Sequence, residues 1–444
     1  MTQLALLEKA DPGRPILWSE GRSMSVGELI ARAERFAERL PGDASALVNL
    51  CERRDHFLIA YCAALLERCT TLLPASRAGE AIDEVVAQHP GSVRCADDDL
   101  AAVCAGPVPA GSRDPRTLRV PGDYIAQIAF TSGTTGRPQP HPKRWGALTH
   151  GTRINAERIR ECFSAPQRAA TPWVVATVPP QHMYGIETSV LLPLLADMAV
   201  HASRPLFPAD VARSLAEVPA PRVLVTTPVH LRALVDSGQP FPAVAVTVSA
   251  TAPLDAGLAA QAESALGTVM LEMFGSTETC VIASRRTAHE DSWLLYPGVR
   301  LEPGAERALV AAPWFDAPTH LQDLIELTGS DRFRVRGRNL DMVEVAGKRA
   351  SLADLTRRLL AVPGVADAVV FQPDAAPGAV RRIAALVVAP GLTPEGICAH
   401  LSRSVDAAFM PRPLLLVPAL PRNELGKLAR ARLMAELERE GASR

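Results

Sequence analysis

Cysteine and net charge are both scarce in this sequence. Eight cysteines in 444 residues are too few to hold a chain of this size together by disulfides, and none of them forms a C-x-x-C pair. Zinc-ribbon and thioredoxin-type sites are therefore disfavoured, and we expect reduced thiols in a cytoplasmic protein. A formal net charge of −1 argues against a nucleic-acid-binding surface spread over the whole molecule.

Long apolar runs are also missing. The longest stretches, such as residues 189–195, are far shorter than a membrane-spanning helix requires. The first residues, MTQLALLEKADPGRP, have no basic region followed by an apolar core, so no secretion signal is expected. With 48% hydrophobic residues, the chain can bury a large core, and its length indicates two or three domains.

Short β-branched runs alternate with helical stretches through most of the chain, which is typical of a layered α/β fold. Strands are predicted at residues 124–130, 173–178, 222–226, 243–249 and 268–272. Helices are predicted at about 186–195 and 254–266, with another directly after residue 226. Because the strands are continuously apolar, they indicate a parallel sheet buried on both faces. From residue 281 to 335 the strands become shorter, which indicates a β-rich subdomain.

The chain after residue 337 is predicted to form a small mobile α+β domain. We expect helices at 351–360, 394–407 and 427–440, and strands at 366–371, 382–388 and 414–417. The predicted domains are therefore residues 1–337 and 338–444, with a hinge near 338–341. The predicted fold class is α/β, with layered α/β subdomains and a β-rich subdomain in the large domain.

The run TSGTTG at residues 131–136 carries the strongest chemical signal, and it directly follows a predicted strand. Its glycines let backbone amides converge on an anion, and its hydroxyls add further donors. A P-loop is excluded because Arg137 and Pro138 follow Gly136, where that motif requires lysine. The run is predicted to bind phosphate, and an ordinary turn rich in glycine and threonine is the alternative.

TSGTTGRP resembles the phosphate loop of the adenylate-forming superfamily, which includes acyl-CoA synthetases, luciferases and the adenylation domains of peptide synthetases. Six further segments resemble other motifs of the superfamily and follow in the same order. They are PQHMYG at 180–185, SATAPL at 249–254, FGSTE at 274–278, the aspartate of LQDL at 323, GR at 337–338 and PRNELGK at 421–427. Seven motifs in order are more than chance explains.

The resemblance implies an enzyme that binds ATP and Mg²⁺ and activates a carboxylic acid as an acyl-adenylate. Glu278 would bind the metal, because Mg²⁺ prefers oxygen ligands and nucleotide phosphates. Phe274 would stack on adenine, and Asp323 would accept hydrogen bonds from the ribose. The residues expected to bind the nucleotide are Thr131, Ser132, Gly133, Thr134, Thr135, Gly136, Ser249, Ala250, Thr251, Glu272, Met273, Phe274, Gly275, Ser276, Asp323 and Arg338.

The same resemblance assigns catalytic roles to Lys427, His182 and Thr277. Adenylation joins two anions, so its transition state needs a cation between the carboxylate and the α-phosphate, and Lys427 would supply it. Thr277 would donate to the α-phosphate, and His182 would lie at the carboxylate end of the acyl pocket. The alternatives are a surface lysine and a structural histidine. His141 and His230 are expected to be structural.

The sequence departs from the family pattern in several places. Gln139 stands where the phosphate loop normally carries lysine, so either Lys143 or backbone donors alone would supply the missing charge. The hinge has Leu340 at the usual pivot, with Asp341 as a possible substitute, and Asp323 lacks the preceding T-G. The AGKR run at 346–349 keeps the glycine loop of the thiol tunnel, which indicates a second, thioester-forming step.

The nature of the acid follows from what the predicted pocket segments contain. Glu187 is the acidic residue there, so a simple carboxylic acid is preferred over an amino acid. The compact length resembles stand-alone ligases of bacterial pigment clusters, which load an aryl acid such as a hydroxybenzoate onto an acyl carrier protein, as in aryl polyene or xanthomonadin synthesis. An aryl- or fatty acyl-CoA ligase, an inert adenylate-binding paralogue and a phosphotransferase that releases ADP remain alternatives.

Overall fold

The structure is a computed structural model that describes residues 2–75, 77–108, 112–132, 138–304, 307–338, 342–345, 348–373, 382–402, 405, 409–423 and 426–442. The chain forms two compact units. The first comprises Met1–Gly298 and Pro313–Asp316, and the second comprises Val299–Ala312 and Ala317–Arg444. The domain boundary predicted after residue 337 falls inside the second unit and stays a prediction.

The first unit alternates strands and helices, as the sequence predicts. Its described strands are β1 (Gln3–Ala5), β2 (Pro15–Ser19), β3 (Arg22–Ser25), β4 (Ala46–Asn49), β5 (Thr70–Leu73), β6 (Ser92–Cys95), β7 (Arg119–Pro121), β8 (Ile125–Ser132), β9 (Pro138–Arg144), β10 (Trp173–Ala176), β11 (Ala199–His201), β12 (Arg222–Thr226), β13 (Val246–Ser249), β14 (Val269–Ser276), β15 (Cys280–Arg285) and β16 (Trp293–Leu295). Its described helices are α1 (Val26–Ala37), α2 (Arg54–Leu66), α3 (Gly79–Gln88), α4 (Asp97–Ala105), α5 (Trp145–Glu161), α6 (Ala165–Arg168), α7 (Met183–Ile186), α8 (Leu192–Leu195), α9 (Pro208–Glu217), α10 (Pro228–Asp236) and α11 (Ala256–Leu266).

Two parallel-rich sheets organise this unit. One has the strand order β6-β4-β5-β8-β9, and in the other the strands of this unit follow the order β16-β15-β14-β13-β12-β10-β11-β2-β3. The central strands pair in parallel, whereas β9, β15 and β16 are antiparallel additions. Val174, Leu224 and Val248 are fully buried, which confirms the predicted buried parallel sheet. Ligands of such sheets bind at the carboxyl ends of the strands.

Arg54 links the two sheets at the start of α2. Its guanidinium is fully buried and donates to the hydroxyl of Ser189 and to the carbonyls of Ala176, Val178, His201 and Ser203. Burial lowers the pKa of Arg54 to about 9. Five acceptors around one buried cation fix where β10 ends and where the chain turns into the following loop.

The predicted elements agree with the structure at most positions. Strand β12 matches the predicted range 222–226, and helix α11 begins after Asp255, whose carboxylate accepts from the Leu258 amide at 3.0 Å. The helix predicted at 186–195 is interrupted by a π-helical turn over Glu187–Leu191. The helix predicted at 394–407 is wrong in length, because α13 ends at Leu401, beside Ser402, whose hydroxyl bonds to the Ala399 carbonyl.

The second unit combines short strands with three described helices. Its elements are β17 (Arg300–Glu302), β18 (Leu309–Ala311), β19 (Thr319–His320), β20 (Asp323–Leu327), β21 (Arg332–Arg338), β22 (Met342–Val345), β23 (Lys348–Ser351), α12 (Leu352–Leu360), β24 (Asp367–Phe371), β25 (Ala384–Val388), α13 (Pro394–Leu401), β26 (Leu414–Leu416) and α14 (Arg430–Ala442). Strands β24, β25 and β26 form a sheet, one face of which packs on α12 and α13 around Leu355, Leu359 and Val387, while the other face packs Leu386 near Leu433 of α14. The predicted α+β character is thus observed.

The cysteines and the helices bear on two further predictions. All eight cysteines are free thiols, as expected for a chain that does not depend on disulfides. Within the described residues, every helix is too short or too polar to cross a lipid bilayer.

Candidate active site

The predicted phosphate loop begins at the end of β8. Residues 133–137 lie outside the described residues, as does the side chain of Ser132, so the predicted roles of Gly133, Thr134, Thr135 and Gly136 stay predictions. Thr131 is described, and its hydroxyl lies 2.9 Å from Nε2 of His141 on the neighbouring strand β9. This hydrogen bond joins the start of the loop to a histidine that the sequence placed only as structural.

The turn between β14 and β15 carries Glu278. Ser276 and Thr279 hold it by reciprocal bonds, in which each backbone amide donates to the other hydroxyl at 3.2 and 3.3 Å. Gly275 precedes the turn, at a register shift in the β14–β15 pair. A side chain at this position would place its Cβ 2.1 Å from the Cys280 carbonyl oxygen. Only glycine therefore fits the turn that presents Glu278 and Thr277.

The Glu278 carboxylate lies at the point where the β14–β15 turn meets β9. Its Oε1 is 4.0 Å from Nε2 of His141, and its side chain is 32% exposed. Burial opposes ionisation, but bonds from Ser276 and from its own backbone, with the charges of His141 and Lys143, lower the pKa of Glu278. An ionised, half-exposed oxygen ligand fits Mg²⁺, so Glu278 is the residue here that would hold the ion.

The segment predicted to lie beside adenine follows β13. Ser249 ends that strand, and its hydroxyl is fully buried with no hydrogen-bond partner among the described residues. Thr251 adopts a φ of 80°, a conformation that favours glycine. The family pattern has glycine there, and this chain adopts a glycine-type backbone conformation at the position although the residue is threonine.

Glu272 on β14 binds the end of the SATAPL segment at residues 249–254. Its buried carboxylate accepts from the Leu254 amide at 3.0 Å, from Nε of Arg285 at 2.8 Å and from the Thr287 hydroxyl at 2.6 Å. Burial raises the pKa of Glu272 in spite of these partners. With its oxygens committed to the protein, Glu272 holds the segment in place. Its predicted contact with the nucleotide stays a prediction.

Phe274 and Met273 lie near the end of strand β14, shortly before the Glu278 turn. The Phe274 ring packs against Trp293 with centroids 5.2 Å apart, and the guanidinium of Arg285 lies over the other ring at 4.4 Å. Met273 is buried, whereas Phe274 is half-buried. The partly open ring of Phe274 is compatible with stacking on a base, and that role stays a prediction.

The segment PQHMYG at residues 180–185, here called the gate segment, leads from β10 into α7 and includes the first three residues of that helix. His182 immediately precedes α7 and is half-buried. The Tyr184 hydroxyl donates to the carbonyls of Thr226 at 3.1 Å and Val248 at 2.9 Å, at the carboxyl ends of β12 and β13. A Cβ on Gly185 would lie 1.9 Å from the carbonyl oxygen of Pro179. The segment is therefore held tightly to the strand ends, and the catalytic role of His182 stays a prediction.

His230 joins the same strand ends. Its Nδ1 lies 2.8 Å from the hydroxyl of Thr177, which also bonds to the Thr226 hydroxyl at 3.1 Å. Burial lowers the pKa of His230, which favours the neutral imidazole. The structural role expected for His230 agrees with these bonds. No sequence motif had indicated that Thr177 would be its partner.

Glu187 is the acid of the predicted pocket segments, and it is fully buried. Its Oε2 accepts from the Val281 amide at 3.2 Å and from Nδ2 of Asn155 at 3.4 Å. Burial raises the pKa of Glu187 to about 7, although the charge of Lys143 acts in the opposite direction. Glu187 is thus a core carboxyl group and is bonded from inside the protein.

We predict that replacing Glu187 by glutamine changes how stability depends on pH. The folded pKa is raised from 4.5 to about 7, so the contribution of this group is full below pH 4.5 and is lost as the pH rises through 7. Thermal denaturation at pH 5 to 8 should show the wild type losing about 3 kcal/mol relative to Glu187→Gln over that interval. The exposed Glu161→Gln is the control. Parallel pH profiles for wild type and Glu187→Gln would contradict the prediction.

In the second unit, Lys427 lies on a tight loop. Its amide donates to Oδ1 of Asn423 at 2.8 Å, and Arg422 donates to the Gly426 carbonyl and to both oxygens of Asp367 on β24. Gly426 has a φ of 75°, which explains the glycine of the motif. Lys427 is exposed. Its catalytic role stays a prediction, and Glu424 and Leu425 lie outside the described residues.

The remaining motif residues lie on the β20–β21 hairpin of the second unit. Asp323 begins β20 and pairs in register with Arg338, the last residue of β21. The side chain of Arg338 is outside the described residues, as are 339–341 and 346–347, so the predicted hinge and thiol-tunnel roles are untested. Pairing of Asp323 with Arg338 brings together two residues whose predicted roles both concern the nucleotide.

The AMP-binding enzyme family matches residues 68–310, and the AMP-binding enzyme C-terminal domain family matches residues 357–427. A 4-coumarate–CoA ligase of Halorhodospira halophila is 30% identical over 305 residues, covering 67% of this chain and 73% of that protein. An L-proline–[L-prolyl-carrier protein] ligase of Pseudomonas fluorescens is 25% identical, covering 96% of this chain and 89% of that protein.

Among solved structures, the o-succinylbenzoate coenzyme A synthetase of Bacillus subtilis, in complex with ATP and a magnesium ion, superposes with a TM-score of 0.79 at 17% identity. The match covers 95% of this chain and 97% of that chain, and it confirms the predicted fold. Together with the two family matches, these findings show that the chain belongs to the AMP-binding enzyme family of adenylate-forming acid–thiol ligases.

Proposed function

We propose that this ligase activates an aryl acid and transfers it to the phosphopantetheine thiol of an acyl carrier protein. A carboxylate oxygen of the acid attacks the α-phosphorus of ATP, the bond to the bridging oxygen breaks, and pyrophosphate leaves. The thiol sulfur then attacks the acyl carbon of the acyl-adenylate, the thiol proton is released and AMP leaves. Lys427 and the oxygen ligand Glu278 are the residues on which the first step would depend.

The main support for this proposal is that three segments of the first unit lie in contact with one another. Thr131 at the phosphate loop, His141 on β9 and Glu278 on the β14–β15 turn form one continuous contact. A metal-binding carboxylate beside a phosphate-binding loop is the arrangement that a nucleotide with its Mg²⁺ ion requires. The buried hydroxyl of Ser249, without a partner among the described residues, supports a further polar contact with the ligand.

The choice of acid rests on Glu187. An amino acid substrate would need an ionised carboxylate facing its ammonium group. Glu187 is fully buried, bonded to Val281 and Asn155, and raised in pKa to about 7, so it is unsuited to that task. The relative that acts on 4-coumarate supports an aryl acid, and a hydroxybenzoate is our first candidate.

The choice of acceptor rests on similarity. The L-prolyl-carrier protein ligase matches almost the full length of the chain, which supports a carrier protein as acceptor. The 4-coumarate–CoA ligase matches at higher identity over a shorter region, and it supports CoA as the second candidate. Both acceptors present the same phosphopantetheine thiol, so the chemistry of the second step is common to them.

ATP–pyrophosphate exchange tests the proposal. Purified protein is offered benzoate, hydroxybenzoates, cinnamates, fatty acids and proline, each with Mg²⁺, and the active acid is then offered with CoA or with a carrier protein. Exchange with an aryl acid, release of AMP and loading of the carrier protein are the expected results. Exchange with proline or a fatty acid alone would overturn the acid assignment, and loading of CoA alone would overturn the acceptor. ATP binding without exchange for any acid would indicate the inert paralogue.

A further inference from the structure

Lys143 occupies an unusual place for a lysine near a phosphate loop. It lies on β9, four residues after Gln139, which stands where the family pattern has its lysine. Only 8% of Lys143 is exposed. Its ammonium donates to the backbone carbonyl of Glu278, on the turn between β14 and β15. The cation is thus directed at the turn that carries the metal-binding acid.

Two acids, Glu278 and Glu187, interact with the charge of Lys143. Its charge favours ionisation of Glu278 and of the buried Glu187, whose carboxylate accepts from the amide of Val281, two residues beyond the turn. A buried ammonium is costly unless it is hydrogen-bonded and compensated by negative charge. The Glu278 carbonyl supplies the hydrogen bond, and the two carboxylates supply the negative charge. The buried cation of Lys143 therefore links the turn to β9.

From this geometry we infer that Lys143 is a positioning residue, which holds the Glu278 turn so that the carboxylate is set for a magnesium–nucleotide complex. The inference rests on the proposed function and identifies the residue that supports Glu278. Hydrogen bonds to charged groups are stronger than neutral ones, and their loss leaves the carbonyl of Glu278 without its buried donor. The turn then samples other orientations, and a preorganised metal ligand becomes a mobile one.

The effect expected of Lys143→Met is specific to the metal-dependent part of nucleotide binding. Isothermal titration should show ATP binding in the presence of Mg²⁺ weakened by about tenfold, the range seen when support of a metal ligand is removed. Binding of AMP without Mg²⁺ should stay within about twofold of the wild type, because it does not use the Glu278 carboxylate. Lys143→Arg keeps a charged donor and should recover part of the loss.

Arg144→Met is the matched control. Arg144 is the next residue on the same strand, and its guanidinium pairs with Asp316 at 2.7 Å, away from the turn. Unchanged ATP binding in Arg144→Met would show that the loss of a nearby cation does not by itself weaken Mg²⁺-dependent ATP binding. If Lys143→Met is too unstable to titrate, Lys143→Arg is compared with Arg144→Met in the same experiment, and a loss confined to Mg²⁺-dependent binding again supports the inference.

Two outcomes would overturn the inference. One is ATP binding with Mg²⁺ by Lys143→Met, or by Lys143→Arg where only that variant can be titrated, at wild-type strength. The other is equal weakening of ATP with Mg²⁺ and of AMP without it, which would mark a general structural role. Because these titrations need no acid, they are independent of the exchange assay. Failure of exchange in the wild type would contradict the proposed function while leaving the test of Lys143 valid.

Discussion

Replacing Lys427 by alanine should abolish adenylation while leaving the second step largely intact. Adenylation brings a carboxylate against an α-phosphate, and removal of a single preorganised donor to developing charge costs about 10²–10³-fold in rate. Transfer from acyl-adenylate to a thiol releases AMP and does not bring those two anions together. Lys427→Ala should therefore lose exchange by at least about 10²-fold and still convert added acyl-AMP to thioester.

Single-turnover assays separate the two steps. One measures pyrophosphate formation from ATP and the acid, and the other measures thioester formation from synthetic acyl-AMP. Arg430→Ala is a suitable control on the same segment, since its guanidinium donates to the Gln372 carbonyl at the exposed start of α14. Survival of both steps in Lys427→Ala would show that the lysine is not the catalytic cation. Loss of both would point to a folding role for its loop.

Elements whose position depends on the local side-chain pattern were predicted more accurately than elements that depend on tertiary contacts. Strand β12 is apolar and β-branched, and it was placed at its observed ends. The π-helical turn over Glu187–Leu191 was not predicted, because it depends on tertiary contacts. Among these, the Ser189 hydroxyl accepts a hydrogen bond at 3.0 Å from Arg54, which is far away in the chain. Such long-range contacts leave no local periodicity.

The site shows the same division between motif and partner. Glu278, Thr251 and Gly275 were identified because short motifs record a backbone shape or a ligand type. Lys143 was considered only as a replacement cation for the phosphate loop, and its bond to the Glu278 carbonyl was not predicted, because that bond joins positions far apart in the chain. Arg54 gave no signal either, because a charged residue at a helix start ordinarily indicates the surface, whereas here it is fully buried.

Replacing Gly185 by alanine should strongly destabilise the gate segment. The new Cβ would lie 1.9 Å from the Pro179 carbonyl oxygen and 2.9 Å from its carbon, so either α7 or the Pro179–Pro180 backbone must move. His182 lies between these two points. We expect a loss of more than about 3 kcal/mol in unfolding free energy, since backbone clashes in a packed segment belong to the largest single-residue effects.

Thermal denaturation and acid-dependent kinetics check this expectation together. Gly151→Ala is the matched control, because Gly151 lies inside α5, where a new Cβ would meet no atom within 4 Å apart from neighbouring residues and the backbone of its own helix. Alanine there should be neutral or stabilise by about 0.5–1 kcal/mol. A Gly185→Ala protein that remains folded should show a higher KM for the acid, since displacement of His182 changes the end of the acyl pocket. Wild-type stability and wild-type KM in Gly185→Ala would mean that Pro179 yields without cost, and that the tight packing of this segment does not position His182.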